Sequence, residues 1–197
     1  MAAFVDRVLR RFQITAEERA FLEQLQANPM RVRRGVRIVS AGDPVENAFV
    51  LMTGWAMSCS HFADGAHQVR RLHFPGDPLA MPSIPMRHHA EDIEALSDAV
   101  ISPFPKRLLA GLFALPRLTA IMYMFAQAER ITAGDRLANL GANSAKGRVA
   151  YLLLDILHRL RSADHSLTDT FYMHLTREQV AHFAGVTPVH EIGRAHV

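Results

Sequence analysis

The 197-residue chain has a single cysteine, Cys59, which excludes an intramolecular disulfide and any metal site built from cysteines alone. Lysine is scarce: most of the 22 basic residues are arginine, whose planar fork suits phosphates and base edges better than an ammonium does. No apolar run is long enough to span a membrane, and charges interrupt the apolar N-terminal segment MAAFVDRVLRRF, which therefore does not read as a secretory signal. A cytoplasmic location and no membrane partner are the default expectations. Missing too are a glycine-rich phosphate loop and any Ser/His/Asp or Cys/His grouping, so an enzyme is not expected. What remains is 49% hydrophobic and 21% charged, enough for a real core, with a net charge of +3 that leans weakly towards an anionic partner.

The most informative stretch is Leu175–His190, LTREQVAHFAGVTPVH. Thr176 and Gln179 form a capping box, in which a hydroxyl and an amide satisfy the open N–H groups of a helix entrance. Val180 and Phe183 fall on one face, and Ala181 is small enough for a second helix to cross closely. Gly185 supplies a sharp turn, and Thr187-Pro188 restarts a helix with Thr as cap and Pro at its first position. Helix, tight turn and second helix make a helix-turn-helix, whose second helix reads the major groove of DNA. Between Arg130 and His190 seven basic residues face five acids, a mild asymmetry and no basic patch.

Upstream, two short helices are expected. Phe4, Val5, Val8, Leu9 and Phe12 share one face of the first, and Thr15 with Glu18 makes a capping box for the second. From Val36 to Phe104 the apolar period becomes two. Short runs at Arg37–Ser40, Ala48–Met52, Trp55–Ser60, Gln68–Phe74 and Ala99–Phe104 alternate with turns at Gly42-Asp43-Pro44, Gly54, Asp64-Gly65 and Pro75-Gly76-Asp77-Pro78. That spacing predicts a small antiparallel β-roll of the jelly-roll kind, with Trp55 and Cys59 in its core. A long helix follows from near Pro116, with Leu118, Ile121, Phe125, Ala128 and Thr132 at alternating spacings of three and four. We read this stripe as a dimer seam, with an ordinary helix packed on the roll as the alternative, and the helix as ended by Gly141. Ser144 caps the next helix, and Phe171–Met173 reads as a short strand. The fold class is α+β.

The succession of roll, long helix and helical C-terminal unit resembles the Crp/Fnr family of bacterial transcription regulators. The resemblance rests on Arg34-Gly35-Val36-Arg37-Ile38, Gly42-Asp43-Pro44, the run FVLMTG from Phe49, Asp64-Gly65, Phe74-Pro75-Gly76-Asp77, Glu94-Ala95-Leu96 and the LTREQVAHFAGVTPVH segment. It implies a homodimer on a pseudo-palindromic DNA operator, with an effector in the roll biasing the DNA-binding domains and RNA polymerase as a partner. The division it implies is N-terminal helices over 1–35, roll over 36–107, dimerisation helix over 108–141 and an incomplete winged helix-turn-helix over 142–190. Thr187, Pro188, Val189 and His190 would read bases, and Thr176, Arg177 and Gln179 would meet phosphates. Residues 191–197, EIGRAHV, match an in-frame translation of a sequencing adapter, so the chain as written is expected to carry an incomplete recognition helix and to bind DNA poorly or not at all.

By the same resemblance the effector pocket would involve Gly76, Asp77, Leu79, Ala80, Met81, Ser83 and His89. Cyclic-nucleotide-binding members carry a Gly-Glu pair there, then an Arg followed by Ser or Thr. This chain has Ala80-Met81 and His89-Ala90, and Glu91, Asp92 and Glu94 stand where they would repel an anion. No cofactor is therefore expected. His61, His67, His73 and the His88-His89 pair lack the spacing of a metal site, so none is predicted. Cys59 reads as a small core residue, with a redox switch as the alternative; Met81, Met86 and His88 offer an apolar pocket or plain packing. Two other functions stay open: a sensing roll that signals to a protein partner, and a cupin-like enzyme, which would need a carboxylate among its histidines. Calorimetry with cAMP or cGMP is expected to show no binding at micromolar concentration, and micromolar binding of either would refute the argument from the missing anchors.

Overall fold

The computed structural model describes residues 3–61, 67–163 and 170–185. Helix α1 (Ala3–Leu9) buries Phe4, Val5 and Val8, while Leu9 turns to solvent. Helix α2 (Ala16–Gln24) starts at the expected capping box: Glu18 N–H donates to Thr15 Oγ1 at 3.2 Å, and Thr15 N–H donates to Glu18 Oε2 at 2.7 Å.

Eight strands follow: β1 (Met30–Val32), β2 (Arg37–Val39), β3 (Asn47–Thr53), β4 (Ala56–His61), β5 (His67–His73), β6 (Pro78–Leu79), β7 (Asp92–Ala95) and β8 (Ala99–Pro105). They form two antiparallel four-stranded sheets, ordered β1-β8-β3-β6 and β2-β7-β4-β5. Val39, Leu51, Leu79, Ala80, Ile93 and Ile101 fill the space between them. The roll thus begins at β1, inside the stretch assigned to N-terminal helices. Strands β1, β6 and β7 went unexpected because two or three residues show no alternation, and β7 hides its pattern behind Asp92 and Glu94. The Asp64-Gly65 turn lies outside the described residues.

A 3-10 segment (Lys106–Ala114) leads into α3 (Pro116–Ala142), which runs one residue past Gly141. Helix α4 (Ala145–Ala163) starts where Ser144 Oγ accepts from the Gly147 N–H at 3.3 Å. Residues 170–176 form no strand, contrary to the expectation at Phe171–Met173, and α5 (Arg177–Ala184) completes the described chain. Trp55 is buried, but outside the roll's interior. It packs edge-on against Phe74 at 4.8 Å and meets Phe171 and His174, joining the roll to the C-terminal helices.

The expected dimer seam is corrected. Leu118, Ile121 and Phe125 are buried against Phe4, Val5, Val8 and the roll of their own chain. Ala128 and Thr132 are exposed and line a cleft beside β5. Spacing reveals an apolar stripe without revealing what covers it, and here α1 covers it. Pointing the other way is a second stripe of Ala120, Met124, Gln127, Ile131, Gly134 and Ala138, again at spacings of four and three.

Gly76 fixes how α1 sits on the roll. Its φ is +88°, and a Cβ there would stand 2.7 Å from the Ala3 carbonyl oxygen. Gly76→Ala is expected to destabilise the fold by about 2 kcal/mol or more, through left-handed strain and displacement of α1. Thermal denaturation checks this; an unchanged melting temperature would mean that α1 is not held by this turn.

Candidate functional site

Two regions carry the predicted site residues: the turn between β5 and β6 with the cleft beside it, and the α5 unit. At the turn, Asp77 is 2% exposed and accepts hydrogen bonds from several elements at once. Its Oδ2 accepts from the Phe74 N–H at 2.9 Å and from Arg159 on α4 at 2.7 Å. Arg7 on α1 donates to Oδ1, and Arg71 on β5 stands 3.9 Å away. Arg71 in turn makes a two-pronged pair with Glu129 on α3, both contacts at 2.6 Å. One carboxylate thus ties together α1, β5 and α4, and a second adds α3.

These groups wall a cavity of about 710 Å³ between the roll, α1, α3 and α4. Of the predicted pocket residues, Asp77 and Met81 reach it. Leu79 and Ala80 face the roll's interior instead, and Ala80 adopts a left-handed backbone (φ 63°) that favours glycine. Ser83 is buried and accepts from the Ala90 N–H at 3.2 Å. His89 sits by the Gly42-Asp43 turn, where its N–H donates to the Asp43 carbonyl oxygen at 2.9 Å. The acids expected to repel an anion are partly neutralised: Glu91 lies 3.9 Å from Arg70 and Asp92 3.7 Å from Arg37. The absent nucleotide anchors therefore remain as the ground for doubting a cyclic nucleotide, and the repulsion argument does not.

Among the described residues no group of three His, Cys, Asp or Glu side chains stands close enough to share a metal ion. Cys59 is 2% exposed, and burial, with Asp92 next, pushes its thiol pKa up to about 11. Such a thiol stays protonated and is a poor nucleophile.

In α5 the Thr176–Gln179 capping box is present, with Gln179 N–H donating to Thr176 Oγ1 at 3.1 Å and Thr176 N–H to Gln179 Oε1 at 2.9 Å. Thr176 and Arg177 are exposed, whereas the Gln179 amide is occupied by the cap and by Met57 Sδ at 3.9 Å. Gly185 ends the helix in the left-handed conformation, φ 60°. Three carbonyls at this end are met by a donor from another element: His182 by Gln68 at 2.7 Å, Phe183 by Arg136 at 3.3 Å and Gly185 by Arg148 at 3.2 Å. Arg136 also donates to the Val69 and Arg70 carbonyls and stacks 3.6 Å above the Phe183 ring. Sequence reasoning missed Arg7, Arg71, Arg136 and Arg159, since isolated arginines on four elements carry no spacing signal. Thr187, Pro188, Val189 and His190 lie outside the described residues.

No family model matches the chain. It is 22% identical over 177 residues to the electron transport regulator A of Shewanella oneidensis, covering 89% of this chain and 70% of that one. It is 25% identical over 178 residues to the nitrogen fixation regulation protein FixK of Azorhizobium caulinodans, covering 88% and 71%. The solved structure of FixK2 from Bradyrhizobium japonicum superposes with a TM-score of 0.71 at 22% identity, over 85% of this chain and 81% of that one. The fold is the cyclic-nucleotide-binding-like fold of the Crp/Fnr regulators. Within that fold the cleft lies between the roll and helices α1, α3 and α4. Among the described residues no helix is long and apolar enough to cross a membrane.

His73 lines the cleft with its Nε2 2.7 Å from Ser58 Oγ, and burial, then Arg71, Arg159 and Arg7, hold its pKa well below 6.5. Above pH 6.5 folded and unfolded chains carry the same neutral ring. Below it the unfolded chain takes up a proton that the folded chain refuses, so stability falls with pH. The urea midpoint is expected to drop from pH 7 to about pH 5.5, and His73→Gln to flatten that slope, with His89 and His174 acting in the same direction and the burial-raised Glu91 and Asp155 carboxyls against it. An identical slope in the variant would show that His73 does not titrate on unfolding.

Proposed function

We propose that the protein is a Crp/Fnr-type transcription regulator that binds DNA as a homodimer, with an effector in the sensor half biasing the DNA-binding half. The observation that carries this is α5: a capped, glycine-ended helix clamped to the roll by Arg136, Gln68 and Arg148, with its first turn left exposed. A helix held so firmly at one end and bare at the other suits phosphate contact through the Thr176 and Arg177 turn, with a second helix from Thr187 entering the groove. The names of the similar proteins, an electron transport regulator and a nitrogen fixation regulator, support the same role.

The homodimer would form through the outward stripe of α3. Met124 is 47% and Ile131 65% exposed, and Ala120, Gly134 and Ala138 between them let a second helix approach closely. Sedimentation is expected to show a dimer at micromolar concentration and a monomer for Ile131→Glu; a monomeric parent chain would overturn the assembly. Selection from random DNA duplexes tests the readout, run on this chain and on a version whose residues after His190 continue as a helix. Enrichment of a two-fold-symmetric site, lost in Arg177→Glu, is the expected result. No enrichment by either protein would refute DNA recognition.

A further inference from the structure

The cleft between roll, α1, α3 and α4 is lined by seven arginines against four carboxylates. The carboxylates are already engaged. Asp77 holds Arg7 and Arg159, Glu129 holds Arg71, and Glu91 faces Arg70. The fourth, Asp155, stands near Arg159 and Arg136, with its pKa raised by burial, and even four full carboxylate charges leave three of the seven guanidinium charges unmatched. The surplus of positive charge is therefore not cancelled from within the chain.

Two buried nitrogens belong to side chains of the same wall. Arg136 Nε and His73 Nδ1 have no hydrogen-bond partner, and both side chains line the cavity. Buried polar atoms left unpaired are uncommon and call for an explanation. Burial lowers the guanidinium pKa of Arg136 to about 10, and burial with the Arg159 charge does the same to Arg7. Leu72, Phe74 and Phe125 make the rest of the wall apolar, which strengthens any charge interaction inside. The volume, about 710 Å³, is in the range of small-molecule sites.

We propose that this cleft binds a compact anion with two or more negative charges, of phosphate or carboxylate chemistry. Guanidinium forks pair two-pronged with both groups, and several forks from different elements favour a ligand with more than one anionic end. Cyclic nucleotides do not fit this description. They carry one charge, and the positions that hold them in related proteins fall elsewhere, Ala80 in the roll's interior and His89 beside Asp43. Because α1, β5, α3 and α4 all contribute to the wall, an occupant would set how α4 stands on the roll. That consequence rests on the regulator reading; the binding itself does not.

The test is calorimetry on the whole chain with inorganic pyrophosphate, citrate and cAMP in parallel, with Trp55 fluorescence as a second signal, since Trp55 packs on Phe74 in the cleft wall. Pyrophosphate or citrate is expected to bind once per chain and more weakly as salt rises. Binding of one and not the other assigns the phosphate or the carboxylate source. The double variant Arg11→Gln/Arg70→Gln, at exposed positions of the rim outside the Asp77 cluster, is expected to weaken binding about tenfold while melting like the parent. Arg136→Gln should weaken it further. No binding of either anion to folded protein at millimolar concentration, unchanged affinity in the rim variant, or cAMP binding as tightly as the others would each overturn the proposal. None of these measurements involves DNA, so failure here and failure of the DNA selection are told apart.

Discussion

The Asp77 carboxylate is the point on which the arrangement turns. It is almost wholly buried, and guanidinium groups from α1, β5 and α4 converge on it. A buried charge left alone would be costly, so the three elements supplying its partners cannot move apart independently. Such pairs add little net stability compared with apolar packing of the same volume. Removing one partner is what costs, which makes the cluster a device for specifying geometry. Here the geometry specified is the seat of the C-terminal helices on the roll.

Helix α3 serves two masters by presenting different faces. Towards its own chain it offers Leu118, Ile121 and Phe125 to the N-terminal helices, then Glu129 and Arg136 to β5 and α5. Its opposite face, with Met124 and Ile131, is left uncovered. Arg136 is the more unusual element. One guanidinium donates to carbonyls on β5 and on α5 and stacks on Phe183, so the sheet and α5 share a single fastening. β5 and α5 are also joined directly, by the Gln68 amide donating to the His182 carbonyl at 2.7 Å.

What could be seen in advance was local. The capping boxes at Thr15 and Thr176 appear as expected because their hydrogen bonds join residues three apart. The glycine end of α5 follows from a backbone conformation that few other residues adopt. Strands with four or more alternating residues were legible. The short β1, β6 and β7 were not, since partners distant in sequence define them: β8 for β1, β3 for β6, and β2 and β4 for β7.

Residue order alone determined the α+β class, most of the helices and the better-patterned strands, and the capped helix entrances, because propensity, capping and turn chemistry act within a few residues. Packing decided the rest. Which stripe of α3 faces its own chain, that Trp55 joins two units instead of filling the roll, and that arginines from α1, β5 and α4 gather around Asp77 and the Glu129 carboxylate of α3 are all outcomes of long-range contact. Coulomb forces and burial act through space, so charges scattered over more than a hundred and fifty positions, from Arg7 to Arg159, become one site only once the chain has folded.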